Sequence, residues 1–484
     1  MPDAPFARPQ QLIAGRWCPA QDERTIATLD PATGDGLAEL PRGGAGDVAA
    51  AVSAARAAAD GAWGRTTAAE RGRMLTRLAG LVERDAERLA RIEAQDTGKP
   101  LSQARADMVA TRRYFEYYAG AADKVHGTTI PYLDGFLAYT TREPHGVTAH
   151  IIPWNYPAQM FGRTIGAGLA MGNACVLKPA EDACLTTLAL AALALEAGVP
   201  EGALNVVTGL GEEAGAALVS HPGIDHISFT GSPEVGGIIQ AAAATHNVGC
   251  TMELGGKSPQ LVFADADLAE AMPILVAAVI QNAGQTCSAG SRLLVEQSIY
   301  PEVVAALAER FQALTIGSWQ QDRSVGPLIN AKQLARVTGF VAAAKADGIP
   351  VLAEASLPSD LPVGGFFAAP ALFGPVPRGN RLACEEVFGP VLSVMPFADE
   401  EDAVRLANST AYGLVAGLWT RDGGRQHRVP KRLRCGQVFV NCYGAGGGIE
   451  LPFGGVKRSG YGREKGFEAL HTLSVTKTVL VKHG

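Results

Sequence analysis

The chain has 484 residues, a formal net charge of −6 and a hydrophobic fraction of 47%. This length predicts two or three domains, and the modest acidic charge argues against nucleic-acid binding, which usually needs a basic surface. The eight cysteines include no C-x-x-C pair, so neither a disulfide framework nor a zinc site is expected, and a reducing cytoplasm is indicated.

The first 125 residues predict an arm of short strands followed by helices. Turn-forming residues dominate up to about residue 45, and helical periodicity starts at Asp47, which we expect to cap the first helix. Thr67 and Glu70 form a capping-box pattern before the second. We expect the charged faces of the last two helices to be exposed to solvent, and we assign them no function. The expected helices cover 48–59, 68–83, 85–97 and 101–120.

No stretch has the pattern of a secreted or membrane-spanning protein. The N-terminal MPDAPFARPQ lacks the charged-then-apolar order of a signal peptide. The apolar helix expected at 186–197 is shorter than a bilayer span. We therefore expect a soluble protein with no membrane partner.

A β-hairpin is expected between residues 126 and 144. Its strands would cover 128–131 and 136–143, with Leu133, Asp134 and Gly135 in the turn. An exposed hairpin of this kind often pairs with a partner subunit. An ordinary surface hairpin is the open alternative.

After residue 145 strands and helices alternate. The expected strands are 147–152, 174–178, 205–207 and 226–230, and the expected helices are 158–170, 183–197 and 212–220. This alternation predicts a parallel sheet with crossover helices. Ligands bind such sheets at the carboxyl ends of the strands, so the loops after Ile152, Leu177, Val207 and Phe229 should form a nucleotide site.

Residues suited to a nucleotide follow three of these strands. Gly211 and Gly215 belong to a stretch that resembles a dinucleotide fingerprint with one extra residue. Gly231 frees the backbone, and Ser232 can donate to a phosphate at the next helix N-terminus.

Lys178 and Glu181 could together hold two ribose hydroxyls. A glutamate there would repel a 2′-phosphate, which favours NAD over NADP. The open alternative is a surface ion pair at a helix start.

Cys287 lies in a loop of small residues between an apolar run at 274–280 and a strand-like run at 293–296. Such a loop lets the backbone approach a ligand closely, and a lone thiol in it can act as a nucleophile. Spacing alone equally allows a small buried hydrophobic residue.

Seven motifs occur in the order in which the aldehyde dehydrogenase superfamily carries them, and on these motifs nearly the whole chain resembles that superfamily. They are PWNYP at 153–157, KPAE at 178–181, FTGS at 229–232, MELGGKSP at 252–259, GQTC at 284–287, EEVFGP at 385–390 and PFGGVKRSG at 452–460.

The resemblance implies an α/β fold in three parts. A Rossmann-like NAD-binding domain would comprise 1–125 and 145–253, and an α/β catalytic domain would comprise 254–460. A small β oligomerisation element would join 126–144 to 472–484. Strand addition across subunits then predicts a homodimer or homotetramer.

The resemblance also implies NAD-dependent oxidation of an aldehyde to a carboxylic acid. Cys287 would attack the aldehyde, and the Asn155 amide with the Cys287 N–H would stabilise the oxyanion. Glu253 would activate the water that hydrolyses the thioester, although by spacing alone it could be an element terminus. Glu464 matches a glutamate that relays protons. Because a free thiol is mostly protonated at neutral pH, we expect the surroundings to activate Cys287.

For the cofactor, Glu386 matches the glutamate that holds the nicotinamide ribose, and Phe388 and Trp154 match aromatic residues of the same cleft. The residues expected to bind NAD are Ile152, Trp154, Lys178, Glu181, Gly211, Gly215, Phe229, Gly231, Ser232, Leu254, Glu386 and Phe388. No metal is expected, because the histidines show no ligand spacing.

The positions that match the family's substrate tunnel are Tyr156, Gln159, Met160, Arg163, Gln281, Ser288 and Phe453. Arg163 matches an arginine that succinic semialdehyde dehydrogenases place on the substrate carboxylate, but Gln281 replaces their second arginine. Arg163 therefore either binds a carboxylate-bearing aldehyde or pairs with a structural carboxylate. The small-residue loop at 444–448 predicts a wide tunnel mouth that tolerates bulky or aromatic aldehydes.

Two other functions are weighed against this one. Coenzyme-A-acylating relatives lack the glutamate found here at 253. A catalytically retired scaffold or binding protein should have lost Cys287, Glu253 or Asn155, and all three are present.

Overall fold

The computed structural model describes residues 10–444 and 448–484. Its first part consists of short strands followed by four helices and the predicted hairpin. In chain order these are β1 (Gln11–Ile13), β2 (Arg16–Cys18), β3 (Thr25–Leu29), β4 (Gly36–Pro41), α1 (Ala45–Asp60), α2 (Ala68–Arg84), α3 (Ala86–Thr97), α4 (Leu101–Ala121), β5 (Thr129–Ile130) and β6 (Phe136–Pro144).

The predicted alternation of strands and helices is confirmed in the next part. Two helical stretches contain a π-helical turn, one at 161–165 and the other at 211–215. The elements are β7 (Val147–Ile152), α5 (Pro157–Met160), α6 (Gly166–Met171), β8 (Ala174–Pro179), α7 (Leu185–Glu196), β9 (Leu204–Val206), α8 (Ala216–Val219), β10 (His226–Thr230), α9 (Pro233–Ala244) and β11 (Gly249–Glu253).

A second α/β unit follows, and the chain then returns to the first one. The elements are β12 (Pro259–Val262), α10 (Leu268–Ile280), β13 (Arg292–Glu296), α11 (Tyr300–Gln312), α12 (Ala331–Ala346), β14 (Val351–Glu354), β15 (Ala371–Phe373), α13 (Arg381–Cys384), β16 (Val391–Phe397), α14 (Glu400–Ala407), β17 (Val415–Trp419), α15 (Gly423–Arg428), β18 (Gln437–Val440), β19 (Gly460–Tyr461), α16 (Glu468–Thr472) and β20 (Ser474–Lys482).

Two large sheets organise the molecule. The first has the order β19-β11-β10-β7-β8-β9-β1-β2, and its five central strands are parallel, as predicted. The second has the order β14-β15-β16-β13-β12-β17-β18. Each sheet has buried apolar clusters of its own. The carboxyl end of β11 in the first sheet leads through residues 254–258 directly to β12 of the second sheet.

The hairpin strand β6 and the terminal strand β20 form a third sheet with β5. The pair runs antiparallel over nine residues, from Ser474 opposite Pro144 to Lys482 opposite Phe136. Apolar side chains on these strands are exposed, including Leu137 and Leu480. This small sheet thus presents an apolar surface to solvent.

Two predictions for the N-terminal helices were wrong. Gly44, not Asp47, caps α1, and the Asp47 carboxylate reaches back from the third helical position to accept from the Gly44 N–H at 3.0 Å. The charged faces of α3 and α4 are not all solvated, because Glu93, Asp96 and Asp107 are buried where these helices pack on neighbouring elements. The predicted capping box of Thr67 and Glu70 is present.

Over the residues that the structure describes, no helix is both long and apolar enough to cross a bilayer. All eight cysteines are free. In the same residues, no group of three or more His, Cys, Asp or Glu side chains is arranged to hold a metal ion.

Candidate active site

Three of the sequence motifs meet between the two large sheets, and glycines allow them to do so. A Cβ at Gly256 would lie 2.4 Å from the Cys287 carbonyl oxygen, and one at Gly255 would lie 2.3 Å from Glu386 Oε2. Both distances are far below van der Waals contact. At Gly256 the neighbour is backbone, so only glycine fits there, whereas a side chain at Gly255 would displace the Glu386 carboxylate. The segments that carry Glu253, Cys287 and Glu386 therefore converge on one site.

The Cys287 loop begins where α10 ends. Asn282 and Ala283 have left-handed backbone dihedrals, which break the helix and turn the chain toward the first sheet. Gly284 has φ +75°, and a Cβ there would lie 2.2 Å from the Gly389 carbonyl oxygen. Tight packing thus holds the loop in a fixed conformation.

The prediction that the protein surroundings activate the thiol was wrong for this state. Burial raises the pKa of Cys287 to about 12; nearby Arg163 acts to lower it, and Glu386 and Glu253 act to raise it. The protein surroundings thus favour the protonated thiol, because the low-dielectric site disfavours its charged form.

Asn155 lies in the loop after β7 and its side chain is buried. Its Nδ2 donates to the Gln285 carbonyl oxygen at 2.8 Å. An amide nitrogen carries two hydrogens, so one remains available to a ligand. This bond ties the Asn155 amide to the segment that ends at Cys287.

A buried network that was not predicted supports Asn155. Lys99, in the turn between α3 and α4, donates to the Asn155 carbonyl oxygen at 2.9 Å, to Asp107 Oδ2 at 2.6 Å and to Glu93 Oε1 at 3.1 Å. Asn282 Nδ2 also donates to the Asn155 carbonyl oxygen, at 2.9 Å. One feature of the sequence could have indicated this network: Lys99 stands between Gly98 and Pro100, so it does not belong to the polar face of a helix.

Glu253 ends β11 and is buried. Neither carboxylate oxygen has a hydrogen-bond partner within residues 10–444 and 448–484. Arg163 Nη2 lies 3.7 Å from Oε2, which is an ion pair without a direct hydrogen bond. Burial raises the pKa of Glu253 well above its usual range; Arg163 acts to lower it and Glu464 to raise it.

Glu464 is held at the same place from two sides. Its Oε1 accepts from the Ser228 hydroxyl at 2.7 Å, and its Oε2 forms a close ion pair with Arg163 Nε. The main chain at 464 pairs with Phe453, whose ring lies 4.6 Å from the Arg163 guanidinium carbon. Glu464 thus lies beside the expected base, and Arg163 lies between the two carboxylates.

On the other side of the site, Lys178 ends β8 and pairs with Glu181 at 2.6 Å. The lysine is buried, whereas the glutamate is partly exposed. Burial disfavours the ionised Glu181, but Lys178 outweighs this and the pKa of Glu181 is lowered. The two side chains therefore form an ion pair, and the backbone N–H groups of Glu181 and Gly211 also favour the ionised carboxylate.

The other residues of the first sheet that are expected to bind the cofactor lie at its carboxyl edge. A Cβ on Gly211 or Gly215 would meet nothing within 4 Å, so open space adjoins both. Ser232 caps α9 and accepts from the Val235 N–H at 3.3 Å, which leaves its O–H free to donate. Gly231 packs against the Phe229 ring. Ile152, at the end of β7, is buried beside this edge.

Glu386, Phe388, Trp154 and Leu254 form the opposite wall. Glu386 Oε1 accepts from the Gly256 N–H at 2.9 Å, and burial raises the pKa of Glu386 to about 7. The Trp154 and Phe388 rings meet edge to face at 5.4 Å. Leu254 is buried, and its N–H donates to the Ser459 carbonyl oxygen.

These residues fit a dinucleotide. Open backbone at Gly211 and Gly215 suits a pyrophosphate, and Glu181 and Glu386 offer carboxylates to hydroxyl groups at two separate places. Gln333 and Arg336, which were not predicted, bind carbonyl oxygens of 386–388 and hold that wall.

The predicted substrate residues fall into different environments. Tyr156, Ser288 and Phe453 are buried, Met160 is buried beside Arg163, Gln159 donates to Asp107 Oδ1 at 2.7 Å, and Gln281 is exposed. Tyr443, which was not predicted, donates to the Ser288 carbonyl oxygen at 2.6 Å. Residues 445–447 of the small-residue loop lie outside the described residues.

Comparison with known proteins agrees with this geometry. The model of the Aldehyde dehydrogenase family matches residues 17–479. The chain is 43% identical over 474 residues to a hydroxyisobutyraldehyde dehydrogenase of Mycolicibacterium austroafricanum, covering 97% of this chain and 93% of that protein. A solved structure from Burkholderia cenocepacia, described as a candidate aldehyde dehydrogenase, is 60% identical with a TM-score of 0.97, covering 98% of this chain and 100% of that one.

A second solved structure contains the cofactor. The NAD+ complex of aldehyde dehydrogenase from Bacillus cereus is 40% identical to this chain with a TM-score of 0.96. The match covers 99% of this chain and 97% of that one.

Proposed function

Because the chain belongs to the aldehyde dehydrogenase family and is an enzyme that oxidises an aldehyde with NAD, we propose that the reaction passes through a covalent intermediate on Cys287. The observation that carries this proposal is the convergence of Cys287, Asn155 and Glu253 at one buried site. A nucleophile, an oxyanion donor and a base are the three groups that acyl transfer through a thiol requires.

In the first step the Cys287 S–H proton is released to water, the sulfur bonds to the aldehyde carbon, and the carbonyl oxygen becomes an oxyanion. The second Asn155 amide hydrogen and the Cys287 N–H stabilise that charge. The pair is pre-organised because Asn155 is already bound to the Gln285 carbonyl oxygen. NAD, when bound, supplies the hydride acceptor that turns the tetrahedral adduct into a thioester.

In the second step Glu253 takes a proton from water, and the resulting hydroxide attacks the thioester carbon. The carbon–sulfur bond breaks, the carboxylic acid leaves, and the thiol is restored. A carboxylate with two unoccupied oxygens suits this role, because both lone-pair sites remain available to a water molecule. Glu464 is the carboxylate on the other side of Arg163, and we assign it the onward transfer of the proton that Glu253 accepts.

The test compares two variants in stopped-flow measurements of NADH. Cys287→Ala should give no NADH at all. Glu253→Gln should give a burst close to one NADH per active site and then turn over slowly, since only hydrolysis is impaired. A Cys287→Ala enzyme that still oxidises aldehydes, or a Glu253→Gln enzyme with normal turnover, would contradict the assignment.

We also propose that the substrate is an uncharged aldehyde. The Arg163 guanidinium faces two carboxylates and the Phe453 ring, and its side chain is only 5% exposed. Its charge is therefore already balanced by protein carboxylates, and its burial leaves little access for a substrate carboxylate. This arrangement supports the structural-carboxylate alternative over the semialdehyde alternative.

The wider assignments are proposals of the same kind. We assign NAD binding to 1–125 and 145–253 and catalysis to 254–460, which is supported by the two large sheets. The exposed apolar side chains of the β5–β6–β20 sheet support self-association as a homodimer or homotetramer. Eight free cysteines support a reducing, cytoplasmic location.

A further inference from the structure

The observation that carries a further inference is the position of a single buried arginine between two buried carboxylates. Arg163 Nε contacts Glu464, Nη2 lies 3.7 Å from Glu253, and Nη1 lies 3.8 Å from the Met160 sulfur. One cation is thus shared unequally by two acids, in contact with the first and within reach of the second.

The unequal sharing is built into the fold. Glu464 cannot move away, because its other oxygen is bonded to Ser228, which accepts in turn from the Thr164 hydroxyl at 3.3 Å. Arg163 cannot move away either, because the Phe453 ring covers one face of its guanidinium. On the Glu253 side, neither carboxylate oxygen nor Arg163 Nη2 has a hydrogen-bond partner within residues 10–444 and 448–484.

A general base at this buried position must be ionised, and its carboxylate oxygens must also remain unoccupied. Burial alone would keep Glu253 protonated and unable to accept a proton from water. A bidentate contact with an arginine would keep it ionised but would occupy its lone pairs and weaken it as a base. An arginine at 3.7 Å that is mostly engaged by another carboxylate favours the ionised form while leaving both Glu253 oxygens open.

We propose that Arg163 is a positioning residue for the general base: it favours the ionised Glu253 carboxylate against the effect of burial while leaving both of its oxygens open, and Glu464 limits how strongly it does so. This inference rests on the proposed role of Glu253 in hydrolysis. It assigns to Arg163 a function in turnover rather than in substrate recognition. The charged and ionisable groups that face Arg163 are Glu253, Glu464, Cys287, Tyr114 and Lys465, and Arg463 also faces Glu253.

The two neighbours act on Glu253 with opposite signs. Removing Arg163 removes an opposite charge, so the pKa of Glu253 rises and the acid limb of kcat moves to higher pH. Removing the charge of Glu464 removes a like charge and frees Arg163, so the limb moves to lower pH. A residue with a merely structural role would not give shifts of opposite direction.

The experiment measures the pH dependence of kcat and of the NADH burst for the wild type, Arg163→Met, Arg163→Lys and Glu464→Gln. An opposite charge at this range typically changes a carboxyl pKa by about 1–3, so Arg163→Met should lose about tenfold or more in kcat at pH 7. Activity should recover at higher pH while the burst persists. Arg163→Lys should restore part of the loss, and Glu464→Gln should move the limb toward acid.

Arg71→Met is the matched control, since this partly buried arginine bonds the carbonyl oxygens of Thr66 and Ala170 away from the site. It should leave the limb in place. An unmoved limb in Arg163→Met would overturn the inference, provided that Glu253→Gln abolishes the limb. If Glu253→Gln instead leaves both the limb and the turnover intact, the proposed base itself is wrong, so the two failures are distinguishable. Glu464→Gln also tests the idea if Arg163→Met does not fold.

Discussion

Replacing Lys99 with methionine should destabilise the protein strongly and also impair catalysis. The lysine is fully buried, bridges Glu93 and Asp107, and donates to the carbonyl oxygen of Asn155. Methionine is of similar length and fills the same space, so the cavity term is small. The dominant effect is two carboxyl groups left buried without their cation.

The expected loss is about 3–5 kcal/mol of unfolding free energy at neutral pH, the usual range when one partner of a buried ion pair is removed. The loss should depend on pH. Burial already raises the pKa of Glu93 against the effect of Lys99, and without Lys99 it rises further. A carboxyl group whose pKa is raised in the folded state lowers the free energy of unfolding as pH rises, because the folded state resists losing that proton. The stability deficit of the variant should therefore be smaller at pH 5 than at pH 8.

The assay is reversible urea unfolding at several pH values, together with steady-state kinetics. The control is Lys345→Met, whose surface pair with Glu354 should contribute about 0–1 kcal/mol. Adding Glu93→Gln and Asp107→Asn to Lys99→Met should recover most of the stability, since no buried charge is then unpaired. A loss below about 1 kcal/mol, or a loss that grows on acidification, would refute the reasoning.

Three shorter predictions follow from the site. Glu181→Ser should raise kcat/KM with NADP relative to NAD, because a carboxylate repels a 2′-phosphate; an unchanged ratio in steady-state assays would remove Glu181 from cofactor selection. In a panel of aldehydes, neutral aliphatic or aromatic compounds should be oxidised more efficiently than semialdehydes, and the reverse order would restore Arg163 as a carboxylate ligand. Leu137→Glu with Val481→Glu, at two exposed positions that lie opposite each other on β6 and β20, should dissociate the proposed oligomer in light scattering, while an unchanged mass would place the interface elsewhere.

Local sequence patterns were sufficient for the main elements. The period of the apolar residues and the turn chemistry predicted β7, the alternating strands and helices after it, and the Thr67 capping box, because these depend on neighbours within a few residues. The motif GQTC predicted a loop at Cys287, and the structure has one.

Tertiary structure alone decided the electrostatics of the site. Lys99 and Asn155 are 56 residues apart, and Arg163 and Glu464 lie far apart in the chain and outside the seven motifs, so no local pattern could reveal their contacts. The thiol of Cys287 was expected to be activated, but burial by both sheets has the opposite effect. Residue types and their order are properties of the chain, whereas burial and charge pairing arise only when distant segments exclude water from one another.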